Sequence, residues 1–273
     1  MKKVFALTYH SQMISGMDYA CNDHVSLQAD LQLLRALKFR CIRATVLVQA
    51  LREGRFDSLP ERCVVITFDD GPVFDVERTE FPPFGVQEPM ESLLRRAGRP
   101  RWWRPWAEPD FPATSFVIAG AGARRQIAAS MGNDQWMSEH WWAGAQSRGL
   151  LDIGSHSWTH VHPIVEEMAD RRHLVEAFHL IDNADDAERE IAQSVRYVHA
   201  RTKHAAARLF AYPYGQYNGF LTDRYLPQQQ EAVAAFTIDG RPITAQTSVW
   251  AIPRFAVHHH WKTPEALQAL LRD

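Results

Sequence analysis

The chain is short of cysteine: 273 residues hold three, Cys21, Cys41 and Cys63, an odd number with no CxxC spacing. That argues against a disulfide framework or a cysteine zinc site and suits a reducing compartment, with the thiols acting as small apolar fillers. An excess of charge of one sign is also missing. Thirty Lys and Arg against 32 Asp and Glu leave a formal net charge of -2, which gives no electrostatic case for a nucleic-acid or anionic-membrane partner. No window approaches the roughly 18 apolar residues of a membrane span. The opening "MKKVFALTYHSQ" carries two lysines, but threonine, tyrosine and histidine break its apolar run, so it does not read as a secretory signal and a cytoplasmic protein is expected. Internal repeats and low-complexity linkers are absent as well. What is present, 46% hydrophobic and 23% charged residues, is the composition of a globular chain, and one domain is the simpler account of its length.

Short runs of β-formers alternate with helical patterns along the chain. "VFALTY" (4–9), "CVVITF", "ATSFVIA", "LLDIGS", "RLFAY", "AAFTI" and "VWAIPRFAV" read as strands. "SLQADLQLLRALKF" sets Leu27, Leu31, Leu34 and Leu37 on one helical face behind Ser26, an N-cap candidate. "DDAEREIAQSVRYVHARTKHAAA" and "TPEALQALLRD" read as further helices. Such alternation implies parallel strands with helical crossovers, in a barrel or a doubly wound sheet. The stretch 73–112 stands apart. It is rich in proline and tryptophan and too irregular for a plain connection, so it reads as an elaborated loop in which Trp102, Trp103 and Trp106 either stack on sugar or pack a lid onto the domain.

Two stretches carry chemistry. "VVITFDDGP" (64–72) places Asp69 and Asp70 at a strand end. Successive strand residues face opposite ways, so two adjacent acids share a site only where the chain turns, and Gly71-Pro72 supplies a turn. The same four residues are also ordinary surface-turn chemistry. In "IGSHSWTH" (153–160) His156 and His160 are four apart; in a helical turn both imidazoles would share a face and meet at one metal ion. Thirteen histidines make such a pair plausible by chance. Each stretch, however, follows a strand, and the ends of parallel strands lie on one face of an α/β domain. Two histidines and one carboxylate leave coordination positions open for water, as catalytic metal sites do.

"TFDDGP", then "HSWTH", then "FAYPYG" (210–215) resembles the polysaccharide deacetylase family, metal-dependent carbohydrate esterases that remove acetyl groups from sugars. The resemblance extends over most of the chain and is strongest to its circularly permuted poly-N-acetylglucosamine deacetylase branch. It implies a single domain over 1–273, a distorted (β/α)7 barrel carrying the 73–112 insertion. By the same resemblance Asp69 is the catalytic base, Asp70, His156 and His160 are the ligands of one divalent metal, and the Tyr214 N–H stabilises the oxyanion. Pro213, Tyr214 and Trp158 lie at the substrate. Zinc is the default metal for this donor set, with cobalt, nickel or manganese as alternatives. The family's general acid sits in a C-terminal Leu-x-x-His motif, whereas here "LTYH" at 7–10 fits that motif, so His10 is the expected acid on a strand moved to the N-terminus; His258, His259 and His260 are the alternatives. The arginine that many members carry two residues before the third motif's proline is Ala211 here, and Arg254 of "IPRF" is expected to supply the charge to Asp69 instead. The implied function is an N-deacetylase acting on an acetamido sugar. The alternatives are a non-sugar amide hydrolase of the same fold, of the deformylase or allantoinase kind, and a non-catalytic carbohydrate-binding relative.

Overall fold

A computed structural model describes residues 2–98 and 109–272. Ten strands occur among them: β1 (Val4–Tyr9), β2 (Arg40–Cys41), β3 (Cys63–Phe68), β4 (Thr79–Glu80), β5 (Val86–Gln87), β6 (Ala113–Val117), β7 (Leu151–Ser155), β8 (Leu209–Ala211), β9 (Ala234–Phe236) and β10 (Phe255–Ala256). The main sheet runs β10-β1-β3-β6-β7-β8-β9 with every pairing parallel, and β2 adds to β3. Closure comes from one short segment. Ile252 bridges to Phe236 of β9, and Phe255 and Ala256 pair with Leu7 and Thr8 of β1, so the chain between them joins the sheet's two edges into a distorted (β/α)7 barrel. β1 thus sits between β3 and the chain's last strand, as a strand transferred between chain ends must.

The period-2 pattern of the strands sorts their side chains. Phe5, Leu7 and Tyr9 with Val64, Ile66 and Phe68 join the outer layer under the helices, whereas Val4 and Ala6 with Cys63 and Val65 join Phe116, Ala211 and Phe236 in a second, inner cluster. Helix α2 (Ala44–Arg52) contributes Leu47 and Val48 to that inner cluster and closes the end of the barrel where the strands begin. The opposite end, where the strands finish, is left for polar groups.

Helix α1 (Asp23–Ala36) buries Leu27, Leu31 and Leu34 as the spacing predicts. Its start differs from the expectation. Asn22, not Ser26, is the N-cap, accepting from the His24 N–H at 2.9 Å, so the helix begins a turn earlier; Ser26 lies inside it and its hydroxyl donates to the carbonyl oxygens of Asn22 and Tyr19. Between β3 and β6 the described residues form a 3-10 turn (Val73–Asp75), the β4–β5 hairpin and helix α3 (Met90–Ala97). Phe74 and Phe81 each meet the Trp136 ring at 5.2 Å and hold this excursion to the domain. Trp102, Trp103 and Trp106 lie outside the described residues. After β6 come α4 (Ala121–Met131) and α5 (Trp142–Arg148), and after β7 a helix formed by α6 (Ala184–Ala187) and α7 (Gln193–Thr202) around a π turn at Glu188–Ala192. No helix among the described residues is long and apolar enough to cross a membrane.

Candidate active site

The inward column of β3 runs Cys63, Val65, Thr67 and continues one step beyond the strand to Asp69, so the alternation that fills the barrel also delivers this carboxylate to its mouth. Arg254 meets it from the closing segment. Its two terminal nitrogens donate to the two Asp69 oxygens at 2.7 and 2.8 Å, the fork geometry that fixes a carboxylate in orientation as well as charge. The same guanidinium donates to Thr8 and Thr67 hydroxyls and to the Thr237 carbonyl, so its donors are satisfied although it is fully buried. Burial alone would raise the Asp69 carboxyl, but the Arg254 charge and hydrogen bonds beside it hold it well below the usual carboxylate range.

Asp70 turns away from the strand direction with φ +70°, followed by Gly71 at φ +71°. Glycine is required there. A Cβ at Gly71 would stand 2.4 Å from Val117 Cγ1 and 2.9 Å from Val117 Cα, in a backbone conformation costly to other residues. The Asp70 carboxylate is divided in its duties: Oδ2 accepts from the Gln12 side-chain amide, while Oδ1 lies 3.6 Å from His156 Nε2 and 3.4 Å from His160 Nε2.

His156 and His160 do not sit on a helical turn, contrary to the sequence expectation. Ser157 at φ +71° and His160 at φ +59° fold the segment into a non-helical loop, and the Ser157 hydroxyl accepts the His160 N–H at 2.8 Å. The rings still meet, with centroids 4.8 Å apart. His156 Nδ1 is 2.8 Å from the Ala211 carbonyl, an acceptor only, so Nδ1 carries the proton and the Nε2 lone pair faces Asp70. Burial pushes the His160 imidazole down to about 3 against the pull of Asp70, keeping it neutral.

These donors suit a divalent cation. The facing ligand atoms of Asp70, His156 and His160 all lie within 4.8 Å of one another. Ligands about 2.1 Å from one tetrahedral ion stand roughly 3.4 Å apart, which is the spacing of the carboxylate to the two imidazoles here. The Gln12 and Ala211 contacts are the outer partners that fix a ligand's orientation.

The remaining sequence candidates divide. His10 lies at the tip of β1 with Nε2 4.0 Å from Asp69 Oδ2, and its side chain is 31% exposed, so it reaches both the cluster and solvent. His258 does not join the cluster: its Nε2 is 3.0 Å from Asp23, whose other oxygen accepts the His10 backbone N–H. His260 accepts the Ala256 N–H, and His259 packs edge-on against it. Pro213 is buried and starts the turn in which Tyr214 takes φ +57°. The Tyr214 N–H has no hydrogen-bond acceptor among the described residues, and its ring lies 4.6 Å from that of His160. Trp158 contacts other groups, donating to Glu167 and standing edge-on to Tyr197. Sequence reading missed Gln12 and Asp23.

A parallel barrel with carboxylates and imidazoles gathered beyond its strand ends has the architecture of a metal-dependent barrel hydrolase. The family model described as polysaccharide deacetylase matches residues 57–226, and the chain belongs to that family. His10 and Arg254 lie outside the matched stretch. Solved structures with the same fold include the Streptococcus pyogenes deacetylase PplD in complex with acetate (18% identity, 98% of both chains, TM-score 0.65). Others are a de-N-acetylase from Aggregatibacter actinomycetemcomitans (14%, 98% of this chain and 100% of that one, TM-score 0.66) and IcaB from Ammonifex degensii (18%, 100% and 98%, TM-score 0.65). No curated protein sequence matches.

Proposed function

We propose that the protein is a metal-dependent N-deacetylase that hydrolyses the acetamido group of a sugar unit in a glycan. The observation that carries this reading is the Asp70, His156 and His160 donor set beside an arginine-paired Asp69. The chemistry that a divalent cation supplies when held by those three residues is Lewis acidity toward an amide carbonyl and toward water. We assign zinc first, with cobalt, nickel or manganese able to replace it.

The chain's own groups take the remaining roles. Asp69, kept ionised and oriented by Arg254, accepts the proton of the attacking water. The Tyr214 N–H, which has no acceptor among the described residues, donates to the oxygen on which charge develops. His10 gives a proton to the departing amine, because it stands across Asp69 with access to solvent, whereas His258 faces Asp23. Pro213 shapes the Tyr214 turn. Retention of all three ligands together with a paired base weighs against a non-catalytic sugar binder, and it weighs against amide hydrolases of this fold that lack the donor set.

Elemental analysis of the purified protein, with and without Asp70→Ala, tests this directly. The expected result is about one transition metal per chain, lost in the variant, with acetate release from acetamido-sugar oligomers falling by a factor on the order of 10³ or more. Failure of the wild-type protein to take up zinc or cobalt would sink the reading.

A further inference from the structure

The loop from His156 to Val161 contains no glycine, yet Ser157, His160 and Val161 all adopt left-handed backbone conformations, at φ +71°, +59° and +43°. Such angles are unfavourable for residues with a Cβ, and most of all for a β-branched valine. They persist only where the surroundings over-determine them. His156 is anchored by strand neighbours, its N–H donating to Val117 and its ring to Ala211. The loop itself rests on Glu190.

Glu190 is fully buried and lies in the π turn between α6 and α7. One of its carboxylate oxygens accepts the Thr159 N–H at 2.9 Å, the other accepts the Thr159 hydroxyl at 2.8 Å, and its backbone carbonyl accepts the Trp158 N–H at 3.1 Å. Arg171 neutralises it at 2.9 Å. The Thr159 hydroxyl also accepts the Val161 N–H, which extends the hold to the residue after His160. A π turn departs from the regular helical hydrogen-bond ladder and is often found at functional sites. Both residues just before His160 are therefore tied to one residue more than 30 positions downstream, Thr159 to the Glu190 carboxylate and Trp158 to its backbone carbonyl.

We propose that Glu190, with Arg171, is a positioning residue that sets the orientation of His160 toward Asp70 and His156 and thereby the affinity of the site for a divalent ion. Glu190 itself touches none of the ligand atoms. The inference rests on the metal-site reading above and extends it to a residue in none of the sequence motifs.

The test is titration of cobalt(II) into the full-length protein, following both the dissociation constant and the visible absorption of the bound ion, for wild type, Glu190→Gln, Thr159→Val and Thr159→Ser. Outer partners of metal ligands are typically worth 10- to 100-fold in metal affinity. Glu190→Gln is expected to weaken cobalt by at least about 10-fold and to change the absorption spectrum. Thr159→Val, which removes the hydroxyl and spares the Glu190–Arg171 pair, should weaken it less, and Thr159→Ser should restore wild-type binding. A wild-type protein that binds no cobalt would overturn the metal reading itself. Wild-type binding with unchanged affinity and spectrum in Glu190→Gln and Thr159→Val would overturn this inference alone. Should Glu190→Gln fail to fold, Thr159→Val and Thr159→Ser decide it.

Discussion

At the tip of β3 the chain enters the left-handed region at Asp70 and Gly71; at the tip of β7 it does so at Ser157, His160 and Val161. In the first turn a glycine takes the position where a side chain would strike Val117, and an arginine 185 positions away along the sequence locks the neighbouring carboxylate. In the second no glycine helps, and a buried glutamate holds the loop by two backbone N–H groups and a hydroxyl. One turn is therefore made by local conformational freedom with an ion pair added, the other by tertiary contact opposing local preference. Breaking the ion pair, removing the glycine and neutralising the acid behind the first turn test that contrast in decreasing order of effect.

The largest loss is expected from Arg254→Ala. Asp69 would be left as a buried carboxylate without a countercharge, a change that costs about 3–5 kcal/mol. Denaturant unfolding of Arg254→Ala, Asp69→Ala and the double variant measures it. The double variant should be less destabilised than the sum of the two singles, because removing the second partner relieves the stranded charge. Equal additivity would mean that the fork contributes little, and that the first turn is held by its backbone alone.

Next in size is Gly71→Ala. The left-handed conformation costs an alanine about 1–2 kcal/mol, and the clash with Val117 adds overpacking of about 1–3 kcal/mol. The matching change in the second turn is Ser157→Gly, which relieves backbone strain while deleting the hydroxyl that accepts the His160 N–H. Those effects oppose each other, so its stability should stay within about 1 kcal/mol of wild type. Comparable losses in both variants would remove the distinction between the turns.

The difference also explains what the sequence makes legible. The Asp-Asp-Gly-Pro turn announces itself, since glycine and proline report local backbone demands and the period-2 run before them says which way Asp69 points. The HxxxH pair announces its chemistry but not its shape: spacing of four suggests a helix, whereas the loop it forms rests on contacts to Ser157 and to Glu190, the latter remote in sequence. Arg254 was suggested by a gap, Ala211 standing where a cation belongs, while its partners Thr8, Thr67 and Thr237 become apparent only once the barrel is closed. Asp23 and Gln12 carry no motif at all. They matter because β1 lies beside β3, a pairing between residues about 60 positions apart that no local pattern encodes.

The smallest effect per unit of pH concerns the acid behind the first turn. Asp75, fully buried, accepts from the Ser11 and Ser115 hydroxyls at 2.6 Å each, so it ties the β1 tip to β6. Burial pushes its carboxyl up to about 7, the charges of Asp70 and Asp69 push the same way, and the two serines oppose them. In an unfolded chain the same group titrates near 3.9. Between these values the unfolded state has lost the proton and the folded state keeps it, so stability falls as pH rises from about 4 to about 7, by at most about 1.4 kcal/mol per unit, and then levels. Asp75→Asn imitates the protonated acid and should abolish that component, gaining on wild type steadily across the interval. Glu190, behind the second turn, has a full positive partner in Arg171 where Asp75 has only hydroxyls, and Glu190→Gln should not reproduce so steep a difference. Denaturant unfolding of all three proteins at pH 4.5, 5.5, 6.5 and 7.5, in one chelating buffer so that metal binding does not contribute, gives the slopes. A pH-independent gap between wild type and Asp75→Asn would mean that Asp75 ionises in the fold as readily as in water, and that its two serines offset the whole cost of its burial.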